Sequence, residues 1–403
     1  MMPTAAEPEG HTPTLIACFL HFDVCFMLWV LIGALGPFVF DGTHVQAGLK
    51  GLLIGVPILT GSLLRVPLGV LSDRYGGRRV ALALLLFLFA PLSLAWLAPA
   101  GLGTLLPVSL MLGSAGASFA VVLPLASRWY PAERQGLVMG IAAAGNSGTV
   151  IANMFAPRLA NWFGWQSVFG LALLPLAVVL VLFLVLAKEA PRGARPRNSS
   201  EYFGALTQPD AVWLCAYYCV TFGGYVGLSS FLPVFLHEQF DVAPVTAGLI
   251  TAAAAFCGSM SRPLGGYLAD RIGGVRLLQV LFVAIAVTYA GVAVAPGIRA
   301  AAATVIVTMI GLGLGNGVVF QLVPLRFPRE IGIVTGLVGA AGGIGGFLLP
   351  TLMGAMKQST GAFAPGFLLL SICALAAAAV VRARQLPQDV WSQVDLVRSE
   401  LRS

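Results

Sequence analysis

An arginine set inside an apolar run long enough to cross a membrane, and set there twice, constrains this chain more than any other feature. Gly61-Ser-Leu-Leu-Arg65-Val-Pro-Leu-Gly69-Val-Leu-Ser-Asp73-Arg74-Tyr-Gly76-Gly77 recurs as Gly258-Ser-Met-Ser-Arg262-Pro-Leu-Gly-Gly266-Tyr-Leu-Ala-Asp270-Arg271-Ile-Gly273-Gly274, identical at nine of seventeen positions with a constant offset of 197 residues and no gap. Arg65 lies eight residues before Asp73, which at ~1.5 Å of helical rise per residue is ~12 Å inside the apolar boundary. That depth approaches the middle of a ~30 Å hydrocarbon core. A lone guanidinium there costs at least ~2.5 kcal/mol, and two facing each other cost more, so the pair calls for an anion between them.

The rest of the chain supports a membrane reading. It is 58% hydrophobic and 10% charged, with a mean hydropathy of +0.91, where soluble domains carry about 25% charged residues. Apolar runs cover 13–38, 46–72, 79–99, 103–127, 136–159 and 165–187, then 211–236, 245–269, 276–296, 300–325, 332–356 and 362–382. Pro131 and Glu133 align with Pro328 and Glu330 at the same offset, and Ala144-Gly145-Asn146-Ser147-Gly148 aligns with Ala341-Gly342-Gly343-Ile344-Gly345. Repeated matches at one spacing indicate an internal duplication. The expected fold is an all-α membrane protein of twelve transmembrane helices in two pseudo-symmetric halves, with a midplane site between them. The expected divisions are a six-helix bundle at 1–187, a Pro-rich basic linker at 188–209, a second bundle at 210–384 and a tail at 385–403.

The formal charge of +7 is distributed as a membrane orientation signal rather than as a nucleic-acid surface. Seventeen of the twenty-three Lys and Arg residues fall in alternate loops and at the C-terminal end, which places those loops and both termini in the cytoplasm. Lys50, Arg158, Arg299 and Lys357 lie on the opposite side. Lys50 is read as a solvated helix-end lysine or as an attractor of anions. The six cysteines sit in apolar runs without metal-ligand spacing and read as small hydrophobes. The first run has no signal-peptide cleavage site and is expected to stay as a spanning helix. With no nucleophile, nucleotide loop or metal cluster, no enzymatic activity, cofactor or metal is expected. A channel gives no reason for duplicated loops, and a sensor would carry an output domain.

The loop Gly69-x-x-x-Asp73-Arg74-x-Gly76-Gly-Arg78-Arg79, with its weaker copy after the eighth run, resembles the signature of the major facilitator superfamily. That resemblance implies that Asp73, Arg74, Asp270 and Arg271 gate the cytoplasmic side by pairing with neighbouring helix ends. Within the superfamily the chain is similar to the nitrate/nitrite porter family over residues 13–384. Arg65 and Arg262 match the family's two substrate arginines. Ala144-Gly145-Asn146-Ser147-Gly148 and Gly339-Ala-Ala-Gly342-Gly343-Ile-Gly345-Gly346-Phe-Leu-Leu-Pro350 resemble its two signatures. Phe119, Tyr218 and Phe222 match positions that close round the anion. Thr149 interrupts the first glycine run and Gly343 stands where some relatives have asparagine, so the asparagine contact carries over for Asn146 only. The resemblance thus implies a nitrate or nitrite site formed by Arg65, Arg262, Phe119, Tyr218, Phe222, Asn146, Gly145, Gly342 and Gly343.

The residue chemistry agrees with that implication. A guanidinium is planar and always charged, and its paired N–H donors match two oxygens of a flat oxyanion, which lysine does not reproduce. A small apolar surround favours a monovalent anion over phosphate or sulfate, whose hydration is costlier to strip. Asp23 is the one carboxylate deep in any run and is a candidate proton carrier, with a counter-ion role toward Arg65 as the rival reading. His21 beside it is a second candidate. The expected activity is nitrate uptake at the bacterial inner membrane, by a monomer working through alternating access with protons as coupling ion. Nitrate/nitrite antiport and carriage of another small monovalent anion are the alternatives.

Overall fold

The computed structural model describes residues 10–41, 44–99, 101–131, 144–189, 208–327 and 331–383, with isolated residues at 134, 138, 139, 141, 142 and 204. Most of the linker expected at 188–209 and the tail expected at 385–403 lie outside the described residues, as do Glu133, Gly136, Gly140, Pro328 and Glu330. Every regular element among the described residues is helical.

In chain order, α1 is Thr12–Trp29, prolonged by the short turns Leu31–Ala34 and Gly36–Val39. Then come α2 (Ala47–Tyr75) and α3 (Gly77–Leu97). α4 runs as Leu102–Leu112, a 3-10 segment Gly113–Ala117 and Ser118–Ser127. α5 (Gly148–Phe163) follows a 3-10 turn at Ala144–Ser147, and α6 is Trp165–Leu186. The second set is α7 (Pro209–Phe240), α8 (Pro244–Ile272), α9 (Gly274–Ala293), α10 (Ile298–Arg326), α11 (Ile331–Thr360) and α12 (Ala364–Ala383). Eleven of these, taking α4 as one, are long and apolar enough to cross a membrane. The exception is α5, described here over only 16 residues because the earlier part of its run falls outside the described positions.

The duplication is visible in the backbone as well as in the sequence. Gly76 (φ 101°) and Gly273 (φ 93°), 197 positions apart, each form the single-residue turn that ends one helix and starts the next. Gly164 (φ 80°) and Gly361 (φ 76°), again 197 apart, end α5 and α11. Only glycine adopts this left-handed geometry without strain, and such a stop reverses the chain within a few ångströms.

Lipid-facing and buried helices separate clearly. Leu86 and Trp96 on α3, Val178 and Val185 on α6, Val280 and Val287 on α9 and Ile372 on α12 are exposed apolar side chains. Carried on helices long and apolar enough to cross a membrane, they define a multi-pass membrane protein. The centre of the molecule is α7, buried from Thr221 to Leu236, and α11, which packs along both α2 and α7. The first of these contacts joins the two halves. Small residues permit it: a β-carbon on Gly51 would overlap the Pro350 carbonyl, and one on Gly354 the Ala47 carbonyl.

Where the sequence predicts unbroken helices for the first and fourth runs, the structure has α1 interrupted at Val30 and Leu35 and α4 tightened over Gly113–Ala117. The second change has a packing cause. Gly113 and Gly116 sit against Pro57, Thr60 and the Trp29 indole, too close for any side chain. The same end that carries Arg74, Arg78, Arg128, Arg271 and Arg326 is called here the basic face. There Arg78 caps the end of α6, donating from Nε to the Ala187 carbonyl (2.7 Å) and from Nη2 to that of Leu184 (2.9 Å). This holds the turn at Gly76 and the start of α3 against the end of α6.

Candidate functional site

The α4 distortion leads directly to the first arginine. Arg65 is 2% exposed. Its Nε donates to the Gly116 carbonyl (3.1 Å), and its Nη1 donates to the Gly339 carbonyl on α11. One contact lies in its own half and one in the other. Its guanidinium carbon is 5.5 Å from the Trp29 ring centroid, 5.2 Å from Phe119 and 5.5 Å from Phe222. Three aromatic faces and two carbonyls stabilise the charge without neutralising it. The remaining nitrogen, Nη2, is buried with no hydrogen-bond partner.

Arg262 approaches from α8. Its carbon lies 5.3 Å from the Phe222 ring and 5.4 Å from that of Tyr225. Nη2 donates to the Tyr218 hydroxyl at 3.4 Å, while Nε is buried and unpartnered. The two guanidinium groups therefore share one aromatic ring, Phe222, and each retains an unused donor. No carboxylate is paired with either: the ion pairs among the described residues are Lys50–Glu238, Arg128–Asp73 and Arg326–Asp210.

Aromatic rings close the space. Tyr218 and Phe222 stack with centroids 5.0 Å apart and planes 1° from parallel, as one helical turn of α7 allows. Phe320 on α10 meets Tyr218 edge-on at 4.9 Å and Phe119 at 6.2 Å, and Phe22 on α1 lies 6.0 Å from Phe119. Gly342 lies flat against Tyr218 and Phe222, where a β-carbon would overlap both rings. Gly343 instead faces α2, where a β-carbon would overlap the Ser62 hydroxyl.

The structure thus brings Arg65, Arg262, Phe119, Tyr218, Phe222 and Gly342 into one cluster, with Gly343 at its edge against α2. Gly145 is placed differently: it packs on the α1 backbone at Phe19 and Asp23 and against the Phe22 ring. Asn146 is buried on the 3-10 turn before α5, which packs against α1 and touches α8. Trp29, Phe320, Tyr225 and the Gly339 carbonyl are members that sequence reasoning missed. With 24 Phe and 7 Trp in the chain, no local pattern marks out these rings.

Asp23 does not pair with Arg65. Its carboxylate accepts from the Ser147 hydroxyl and from the Gly148 backbone N–H, so it caps the start of α5. The counter-ion reading is replaced by a tie between α1 and α5. His21 is fully buried, with Nδ1 2.8 Å from the Ser118 hydroxyl and Nε2 3.1 Å from the Ala81 carbonyl. A neutral imidazole, accepting from Ser118 and donating to Ala81, satisfies both and joins α1 to α3 and α4.

At the basic face the four gate candidates have partners within their own halves. Asp73 pairs with Arg128, Asp270 accepts from Gln321 Nε2 (2.8 Å), Arg74 lies over Tyr75 and Arg271 over Tyr267. The opposite face is tied across the halves. Lys50, read from sequence as a free helix-end charge, pairs with Glu238 at 2.8 Å. Gln358 bonds to Gly48 N and Gln46, and Asn153 donates to the Ser229 carbonyl (3.2 Å), while at the level of the arginines Thr149 Oγ1 lies 3.3 Å from the Tyr225 hydroxyl.

Two helical halves packed round a cationic, aromatic cluster, on helices long enough to cross a membrane, suit a membrane transporter. Comparison with known proteins specifies which kind. The sequence model of the Major Facilitator Superfamily matches residues 17–350. The nitrite extrusion protein of Bacillus subtilis (strain 168) is 34% identical over 358 residues, 88% of this chain and 90% of that protein. The probable nitrate/nitrite transporter NarK2 of Mycobacterium tuberculosis (strain H37Rv) is 34% identical over 377 residues, 92% and 95% of the two chains. The probable nitrate/nitrite antiporter NarK1 of Thermus thermophilus is 32% identical over 375 residues, 85% and 84%. A bacterial homologue of the human lysosomal transporter Spinster has the same fold, with a TM-score of 0.74, 19% identity and coverage of 92% and 94%. The chain belongs to the major facilitator superfamily and, within it, to the nitrate/nitrite porter family.

Proposed function

We propose that this protein carries nitrate, and also nitrite, across the cytoplasmic membrane, with Arg65 and Arg262 gripping the anion and the basic face turned to the cytoplasm. The observation that carries the reading is the pair of guanidinium groups that both lie against Phe222, Arg65 buried and Arg262 half-buried, with Arg65 Nη2 and Arg262 Nε unpaired. A flat anion between them satisfies both donors and offsets two charges that otherwise repel. The names of the relatives support the substrate class.

Nitrate uptake into the cell by proton symport is the direction and coupling we assign. Bringing one nitrate into a negative interior costs ~2.3 kcal/mol per 100 mV, so at least two protons must accompany it for net positive charge to move inward. Asp23 is one carrier by this reading. Protonation weakens its hold on Ser147 and Gly148, which releases α5 from α1 beside Asn146 and links the proton to the rocking of the halves. Exchange of nitrate for nitrite, favoured by the relatives named antiporter and extrusion protein, is the second reading and needs no proton site.

Purified protein in liposomes separates the two. Symport predicts saturable nitrate uptake that an inward proton gradient stimulates and internal nitrite leaves unchanged. Uptake that requires internal nitrite and ignores the gradient replaces symport with exchange. Under symport, Asp23→Asn should leave nitrate affinity within about threefold of wild type while removing the stimulation by the gradient. An Asp23→Asn protein still driven by the gradient assigns the carboxylate to capping alone.

A further inference from the structure

Beside the arginine pair, on the side of the second half, two buried polar side chains have no hydrogen-bond partner. Asn316 on α10 is 1% exposed, and neither its Nδ2 nor its Oδ1 is bonded. Thr221 on α7 is fully buried and its hydroxyl is likewise unpartnered. A buried polar group left without a partner is costly, so a third group is expected between or beside them.

Neighbouring contacts fix their height. α7 and α10 run antiparallel, with Leu312 packed at Gly224 and Phe320 packed at Tyr218. Asn316 is one helical turn from each on the same face of α10, which sets it level with Thr221 and Phe222. Gly315 touches the Thr221 methyl, and Gly317 packs on the Arg262 carbonyl. Asn316 thus belongs to the tier of Arg262. It also stands 197 positions after Phe119, so in the duplicated frame it takes the place of the ring that flanks Arg65 in the first half.

The geometry points to Asn316, oriented by Thr221, as a specificity-determining residue that donates an amide hydrogen bond to the third oxygen of nitrate. The unused groups of this tier are donor-rich: Arg65 Nη2, Arg262 Nε and Asn316 Nδ2 only donate, the Thr221 hydroxyl can donate or accept, and Asn316 Oδ1 only accepts. A water takes and gives hydrogen bonds equally, whereas an excess of donors suits an anion. Thr221 can donate to Asn316 Oδ1, which turns the amide donor outward. Two oxygens of a bound oxyanion are served by the arginines. Nitrate has a third, and nitrite has only two, so an additional neutral donor on this side favours nitrate.

This rests on the reading of Arg65 and Arg262 as the nitrate site, and the test separates the two. Nitrate and nitrite affinities of the purified full chain are measured by ligand-induced thermal stabilisation, for wild type, Asn316→Leu, Asn316→Ser and Thr221→Val. The expected result is a loss of about tenfold for nitrate in Asn316→Leu, or ~1.4 kcal/mol, with nitrite changed less than twofold. Asn316→Ser, still a donor, should fall between, and Thr221→Val should shift the ratio in the same direction. Nitrite serves as the internal measure of an intact site. An unchanged nitrate-to-nitrite ratio in both Asn316 variants overturns the assignment, and so does an equal loss of both ions, which makes Asn316 a framework or water-binding residue. If wild type binds neither anion, the arginine reading itself falls and takes this one with it.

Discussion

Arg65→Lys and Arg262→Lys should each reduce nitrate uptake at least ~100-fold while leaving the melting temperature of the detergent-solubilised protein within a few degrees of wild type. Charge is conserved in both, so simple electrostatic attraction predicts a mild effect. The geometry predicts a severe one. Arg65 spends Nε on the Gly116 carbonyl and Nη1 on that of Gly339, and still offers Nη2. An ammonium is a compact point charge with no planar fork, and it cannot hold two carbonyls from different halves and present a donor to an oxyanion at once. An oxyanion that loses two charge-assisted hydrogen bonds, at about 1.5 kcal/mol or more each, is held ~100-fold more weakly. Arg65→Lys should be the more damaging, because Arg65 also loses the faces of Trp29 and Phe119. Full uptake in either variant, measured in liposomes alongside the melting curve, removes that arginine from the site.

Much of the fold was legible because membrane insertion imposes local rules. Spans declare themselves by apolar length, and the duplication by identities at one offset. That offset is repeated in the backbone at Gly76 with Gly273 and Gly164 with Gly361. Arg65 and Arg262 stand out in the sequence for a similar reason, since a charge deep in an apolar run has few innocent explanations, and the structure sets both against Phe222. What sequence could not supply were contacts fixed only by how helices rotate about their own axes. Phe320 and Trp29 are ordinary aromatics until α10 and α1 turn them toward Phe119 and Arg65. Lys50 reads as a free helix end until α7 brings Glu238 to it. Asp23, about three turns along α1, reads as a neighbour of Arg65 because their helices are adjacent in sequence. The chain instead spends it on α5, because the 3-10 turn at Ala144–Ser147 leaves N–H groups to be capped.

Gly51→Val should abolish net transport, by about 100-fold or more, while leaving nitrate affinity within about threefold of wild type. Gly51 is fourteen residues before Arg65 on α2, or ~21 Å along the helix, so it cannot touch the anion. It is where α2 and α11 cross backbone to backbone: a β-carbon there would overlap the Pro350 carbonyl and press on Gly354. The obstacle is backbone, not the movable end of a side chain, so a branched residue can be accommodated only by parting the helices. That parting opens the face held by Lys50–Glu238, Gln358 with Gln46, and Asn153 with the Ser229 carbonyl. A carrier must alternate between closure of one face and closure of the other, and packed interfaces switch between discrete arrangements rather than deforming gradually. A valine at this crossing therefore removes one of the two states. The population shift is measurable with Ser230→Cys, placed in a background lacking the native cysteines. Ser230 is 1% exposed and packs against Gly33 across the halves, so a membrane-impermeant maleimide added from the side opposite the basic face should label it slowly. Adding Gly51→Val should accelerate labelling about tenfold or more. If labelling stays slow while transport is lost, or if nitrate binding falls in parallel with transport, Gly51 acts through folding and the closure of this face does not depend on the α2–α11 crossing.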